Sequence, residues 1–142
     1  MTTITEDYVS FEIAKLLKEK GFYGKCLSMY VTPKWNSGNG DPNKAKIAPH
    51  GRDSNYYDGY MYQCEAPTHQ MALKWLREVH KLYIEFVLNQ EVKDEESEIE
   101  NYYCFNVSRL DRFANEGGDC KFYKSYEEAV EAGIKCCLTN LI

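Results

Sequence analysis

No stretch of this chain approaches the ~18–20 consecutive apolar residues that a membrane-spanning helix needs. The opening MTTITEDYVSFE is acidic and has no continuous apolar core, so no secretory signal is expected either. The expected compartment is the cytoplasm, where the six cysteines remain reduced thiols. Cysteine pairs at short spacing are also missing. Cys26, Cys64, Cys104 and Cys120 are far apart, and Cys136 and Cys137 are adjacent on a helical pattern, where their side chains diverge by about 100°. Neither a metal site nor a cofactor is expected, and the cysteines read as small hydrophobes. A basic stripe is absent too. The net charge is −5, with eight Lys/Arg against seven Asp/Glu in residues 1–60 and nine against fifteen in residues 61–142. The small basic group Lys34, Lys44, Lys46 and Arg52 is offset by Asp41 and Asp53. Duplex nucleic acid is therefore disfavoured as a partner.

Catalytic signatures are lacking as well. There is no G-x-G-x-x-G after a strand, no G-x-x-x-x-G-K-[ST], no H-E-x-x-H and no G-x-S-x-G. SGNGDPN carries two glycines without the Lys-Ser/Thr that a phosphate loop requires. Asp53, Asn55 and Asp58 before Gly59 resemble part of a calcium loop, but Tyr57 stands where oxygen ligands alternate and the bidentate Glu is missing. Cys120 is the most plausible nucleophilic thiol, expected close to a helix N-terminus. Its base would have to be His50, His69 or His80.

What the chain does have is the composition of one ordinary globule. Its 142 residues are enough for a single domain that needs no covalent staple. Hydrophobic content is 44% and charged content 27%, both typical of globular chains. Aromatic content is 14%, with twelve Tyr, and fits a strand-rich chain or an interface.

The patterning predicts seven elements. Ser10 caps a helix through Lys20, Gly21 ends it, and Ile13, Leu16 and Leu17 form its buried stripe. Residues 26–32 alternate Leu27, Met29 and Val31 against Cys26, Ser28 and Tyr30, a half-buried strand. Residues 60–66 alternate again. Pro67-Thr68 opens a second helix, His69 to about Val79, with Met71, Ala72, Trp75, Leu76 and Val79 inward. Residues 81–89 form the cleanest strand, with Leu82, Ile84, Phe86 and Leu88 on one face. An acidic turn over 91–100 leads to a fourth strand around 102–110. Gly117-Gly118 breaks the chain, and the capping box Ser125/Glu128 opens a last helix facing inward through Tyr126, Val130, Ile134, Cys137, Leu138 and Leu141. The expected fold class is α+β over residues 1–142. It is a helix followed by two strand–strand–helix units, giving a four-stranded, mostly antiparallel sheet with helices packed on one face. Each helix carries a hydroxyl residue with Ala four positions on (Ser10/Ala14, Thr68/Ala72, Ser125/Ala129), which simple helix propensity accounts for, with internal duplication as the alternative.

Three segments resemble a known family: VSFEIAKLLKEKGF (9–22), APTHQMALKWLREVHKLYIEF (66–86) and YKSYEEAVEAGIKCCLTNLI (123–142). They are similar to short uncharacterised proteins encoded by gut Bacteroidetes and by their phages or mobile elements. Together they cover a little over a third of the chain. The family carries no assigned mechanism, so the resemblance implies an origin and no activity. The middle of this chain is longer than in the relatives. YEEAVEAG is also similar to helix openings in HicB-type antitoxins.

That long middle, Thr32 to Gly59, is the candidate functional segment. It holds three of the four prolines. Loops beyond roughly 12–15 residues are usually functional or disordered. Trp35, His50, Arg52, Tyr56 and Tyr57 are the candidate binding residues, because aromatic and Arg side chains anchor interfaces. The leading reading is a non-enzymatic binding, accessory or regulatory protein whose partner is a protein or a small molecule. The alternatives are a small enzyme with a cysteine-based site under the loop, and a purely structural homodimer through a sheet edge or face. The acidic run Asp94, Glu95, Glu96, Glu98, Glu100 reads as a solvated hairpin tip.

Overall fold

A computed structural model describes residues 4–34, 41–50, 59–93 and 98–142. The fold is α+β, as expected, and the chain is organised as two compact units, Met1–Gln70 and Met71–Ile142.

In the first unit, helix α1 (Phe11–Glu19) starts where Ser10 accepts a hydrogen bond from the Ile13 N–H at 3.3 Å. Its end is a Schellman motif. Gly21, at φ +94°, donates to the Lys18 carbonyl, and Phe22 donates to that of Leu17. Ile13, Ala14 and Leu17 are buried, while Leu16 is only half-buried. The helix packs on strand β3 (Tyr60–Glu65).

Strand β1 (Ser28–Pro33) lies between β3 and a short strand β2 (Lys46–Pro49), antiparallel to both. The 32–59 stretch therefore does more than connect two strands. It supplies β2 and a 3₁₀ turn, Pro42–Lys44, whose cap Asp41 accepts from Asn43 N–H at 2.9 Å. The alternation expected over residues 26–32 holds at its start. Cys26, Ser28 and Tyr30 are buried and Leu27 is 90% exposed. A bulge between Tyr30 and Val31 then shifts the register, so that both of these residues point inward. Tyr30 is held inside by a hydrogen bond from its hydroxyl to the Val9 carbonyl and by its ring lying 5.3 Å from that of Phe11. Residues 7–9 are tied to residues 67–69 by the bonds Val9 N to Pro67 O, 3.0 Å, and His69 N to Asp7 O, 2.8 Å. Helix α2 (His69–His80) follows and from Met71 onward belongs to the second unit. It buries Ala72, Leu73 and Leu76 and leaves Val79 exposed, so its inner face is rotated toward Leu73 from the expected one.

The second unit is built on a long hairpin. Strands β4 (Leu82–Lys93) and β5 (Glu98–Arg109) pair from Leu82↔Arg109 to Lys93↔Glu98. Residues 91–93 and 98–100, expected in the acidic turn, are thus strand, and Asp94, Glu95 and Glu96 lie outside the described residues. A short strand β6 (Asn115–Gly117) and the reciprocal Tyr103–Tyr123 backbone pair, 2.7 Å each way, occupy the far side of β5. Helix α3 (Tyr126–Cys136) begins with Ser125 accepting from Glu128 N–H at 3.1 Å and continues as a π-helical end, Cys137–Leu141. It packs across β4 and β5 through Ala129, Val130, Gly133 and Ile134. A β-carbon on Gly133 would sit 3.1 Å from Ile84 Cγ2 and 3.4 Å from Phe105 Cγ, so the helix backbone rides close to the sheet. At Gly118 a β-carbon would lie 2.1 Å from the Phe105 carbonyl oxygen, which leaves glycine as the residue that fits.

The expected single four-stranded sheet is therefore corrected to two three-stranded antiparallel sheets, ordered β2-β1-β3 and β4-β5-β6. The additional strands are short and lie in segments rich in Pro, Gly and Asn. They are held by backbone pairing and carry no side-chain alternation long enough to read. The two sheets also differ in which strand is central, which a simple duplication of one unit does not produce.

Candidate functional site

Of the five predicted binding residues, Trp35, Arg52, Tyr56 and Tyr57 lie outside the described residues, as do Asp53, Asn55 and Asp58. His50 lies inside them, directly after β2. Its N–H bonds the Leu27 carbonyl at 2.9 Å, which extends the β1–β2 pairing by a step. This fixes the backbone from which the imidazole projects.

The imidazole reaches Glu65, the last residue of β3. His50 Nε2 lies 2.7 Å from Glu65 Oε2. A carboxylate only accepts, so Nε2 carries the proton. The Tyr62 hydroxyl donates to the same oxygen at 3.1 Å, and the Cys26 N–H donates to Oε1 at 3.2 Å. One carboxylate thus collects donors from β2, from β3 and from the approach to β1. The central position of β1 makes this convergence possible, since Pro49 pairs with Ser28 and Glu65 with Met29. The His50 ring also lies 6.4 Å from the Tyr62 ring.

Beside this cluster is a depression of about 260 Å³, whose lining includes Lys18, Phe22, Tyr23, Lys25, Tyr62 and Glu65. Lys18 Nζ donates to the Gln63 carbonyl at 2.7 Å and stands 5.4 Å from the Tyr62 ring centroid, a cation–π distance. Tyr23 is 86% exposed. Tyr23, Leu27, His50 and Tyr62 thus form a chain of neighbours linked by the depression, the Leu27–His50 bond and the ring contact. The volume is below the roughly 300–1,000 Å³ of cavities that enclose a drug-sized ligand. It suits one inserted side chain or a small group.

The electrostatics hold the acidic protons in place. Burial, with the Glu65 hydrogen bond next, pushes the Tyr62 phenol up to about 12. Burial and then the Glu65 charge push the Cys26 thiol up to about 11, and burial likewise raises Cys64 to about 11. Near neutral pH these groups are a hydrogen-bond donor and two thiols, without thiolate character.

The cysteine reading places Cys120 near a helix N-terminus. The structure puts α3 at Tyr126 behind its cap Ser125, so Cys120 precedes the helix by more than a turn, exposed and at φ +59°. His80 lies edge-on to Trp75, with ring centroids 4.5 Å apart. Among the described residues, no group of three His, Cys, Asp or Glu side chains is placed to hold a metal ion, and no helix is long and apolar enough to cross a membrane.

Sequence reasoning reached His50 through the length of its loop and missed Glu65, Tyr62, Cys26, Lys18 and Tyr23. The alternation of residues 60–66 marks a strand, but nothing in it shows that β1 separates Glu65 from a further strand hidden in the loop. Comparison with protein-family models, with curated proteins and with solved structures finds no match for this chain.

Proposed function

We propose that the protein is a binding protein of accessory or regulatory kind, whose recognition surface is the patch Tyr23, Leu27, His50 and Tyr62 at the base of the 32–59 segment. Trp35, Arg52, Tyr56 and Tyr57, the other candidate binding residues, belong to the same 32–59 segment of the sequence and lie outside the described residues. The observation that carries this reading is the Glu65 carboxylate, which is engaged by three donors beside exposed aromatic side chains. Here the Cys26 and Cys64 thiols and the Tyr62 phenol are raised well above neutral pH, which argues against a thiol nucleophile, and the Glu65 carboxylate acts as a clasp between strands. The small depression and exposed Tyr suit a protein partner that inserts one side chain. The resemblance of residues 9–22, 66–86 and 123–142 to the Bacteroidetes and phage family supports a role in a cytoplasmic mobile-element context.

The test is capture from native-cell lysate on immobilised protein, quantified by mass spectrometry, for the wild type and for Tyr23→Ala/Tyr62→Ala. A defined set of proteins captured by the wild type and lost from the variant is expected. Equal capture by the two refutes the assignment of this patch.

A further inference from the structure

The β4–β5 hairpin runs beyond the helix that covers it. Even-numbered residues of β4 and their β5 partners share the face on which α3 lies: Ile84 with Val107, Phe86 with Phe105, then Leu88 with Tyr103 and Val92 with Ile99. The first pairs are covered, with Ile84, Phe105 and Val107 buried. Farther out the same face is open, with Leu88 50%, Ile99 61% and Val92 71% exposed on either side of the hydrogen-bonded pair Gln90–Asn101. Strand β4 is also the edge of its sheet: among the described residues its one ladder partner is β5. A long edge strand with an open apolar face is a template for another strand.

We propose that the occupant is a second copy of this chain, joined β4 to β4 in antiparallel register about a two-fold axis at Asn89. This inference is independent of the patch around His50. A two-fold perpendicular to the sheet keeps each face continuous, so residues of like parity must stand opposite each other. The charges of β4 then select the register. With Asn89 opposite Asn89, Glu85 faces Lys93 of the second copy and Lys93 faces its Glu85. Shifting the axis to Leu88 sets Glu85 against Glu91, a like-charge pair. Shifting it to Gln90 leaves Lys93 opposite Val87. The Asn89 register is the extended one within β4 that matches opposite charges at both ends. It also places Val92 of each copy beside Phe86 of the other. Phe86 touches Tyr126 of its own α3, ring centroids 5.4 Å apart. The overhanging half of each hairpin is thereby covered by the flank of the other copy's helix, which accounts for a hairpin longer than its own helix covers. Lys93 already pairs with Glu100 in its own hairpin and would stand between two carboxylates.

The experiment is sedimentation velocity over a concentration series, with circular dichroism melting as the folding control. Wild type, Glu85→Lys, Lys93→Glu and the double exchange Glu85→Lys/Lys93→Glu are compared. The wild type is expected to dimerise. Each single reversal creates two like-charge pairs per dimer and weakens association about tenfold. The double exchange restores opposite charges and recovers most of the loss. A wild type that stays monomeric at every concentration overturns the proposal. So does a dimer that neither reversal weakens, or one that the double exchange fails to rescue.

Discussion

Replacing Glu65 separates two roles of its carboxylate, charge and connection. Glu65→Leu removes the acceptor for three donors at once. The costly one is the Cys26 N–H, because Cys26 is buried and its amide loses its partner. An orphaned buried donor costs about 1–3 kcal/mol. The Tyr62 hydroxyl and the His50 ring are open enough to turn to water, so each loses about 0.5–1 kcal/mol. The sum is a loss of about 2–5 kcal/mol. Glu65→Gln keeps an oxygen for the Cys26 N–H, and its amide can donate to the Tyr62 oxygen or to the other His50 tautomer. That variant loses the charge assistance alone, about 1 kcal/mol. Urea unfolding followed by circular dichroism reads the difference. With a slope of about 2 kcal/mol per molar, the midpoint should fall by about 1–2.5 M for the leucine variant and about 0.5 M for the glutamine variant. His50→Ala should cost measurably less in the leucine background than in the wild type, since its partner is already gone. A leucine variant as stable as the wild type would refute the clasp, and so would equal losses for leucine and glutamine.

Gly117→Ala and Gly118→Ala make the same chemical change at neighbouring positions and should differ. At Gly117 a β-carbon meets nothing within 4 Å but the backbone is at φ +74°, so the cost is left-handed strain of about 1 kcal/mol. At Gly118 it meets the Phe105 carbonyl and displaces backbone from β5, which costs about 3 kcal/mol or more by thermal unfolding. Burial holds His80 below the ordinary histidine value, and its Nε2 is buried without a partner. The neutral form is therefore the one the fold favours, and its contribution to stability is whole above about pH 6.5 and is lost as pH falls from there through the folded-state value. Because Trp75 adjoins the ring, its fluorescence should report His80 protonation with a midpoint below 6.5, and His80→Leu should abolish that transition and reduce the loss of stability between pH 6.5 and that midpoint. Among the six thiols, exposed Cys120 should react first with a disulfide reagent at pH 8, while Cys26, Cys64 and Cys137, raised by burial to about 11, 11 and 12, react only on unfolding. Fast labelling of Cys26 in the folded protein would contradict its burial.

Helix ends were legible because their signals act over a few residues. Ser10 and Ser125 bond amides three positions on, and Gly21 supplies a backbone conformation by itself. The β4 alternation was legible for the same reason, since Leu82 and Ile84 needed one buried face whatever covered it. In β1 the alternation was present but its inward side was not decided by hydrophobicity. Cys26, Ser28 and Tyr30 are small or amphipathic, and a hydrogen bond from Tyr30 to Val9 outweighed the exposure of Leu27. The bulge that turns both Tyr30 and Val31 inward comes from pairing with β3 and leaves no trace in composition.

By itself, then, the sequence determined the three helices, the caps Ser10 and Ser125, the main strands and the α+β class, because each of these is settled by neighbours along the chain. It also singled out the 32–59 segment and His50 within it. Tertiary structure alone decided that this segment folds a strand back onto β1, and that the fold has two three-stranded sheets in place of one of four. It alone decided that His50 meets Glu65 across fifteen positions. Those outcomes depend on which backbone lies beside which. A short strand's hydrogen-bonding edge is nearly the same for every residue type, so the choice of partner is made by the packing of the whole unit.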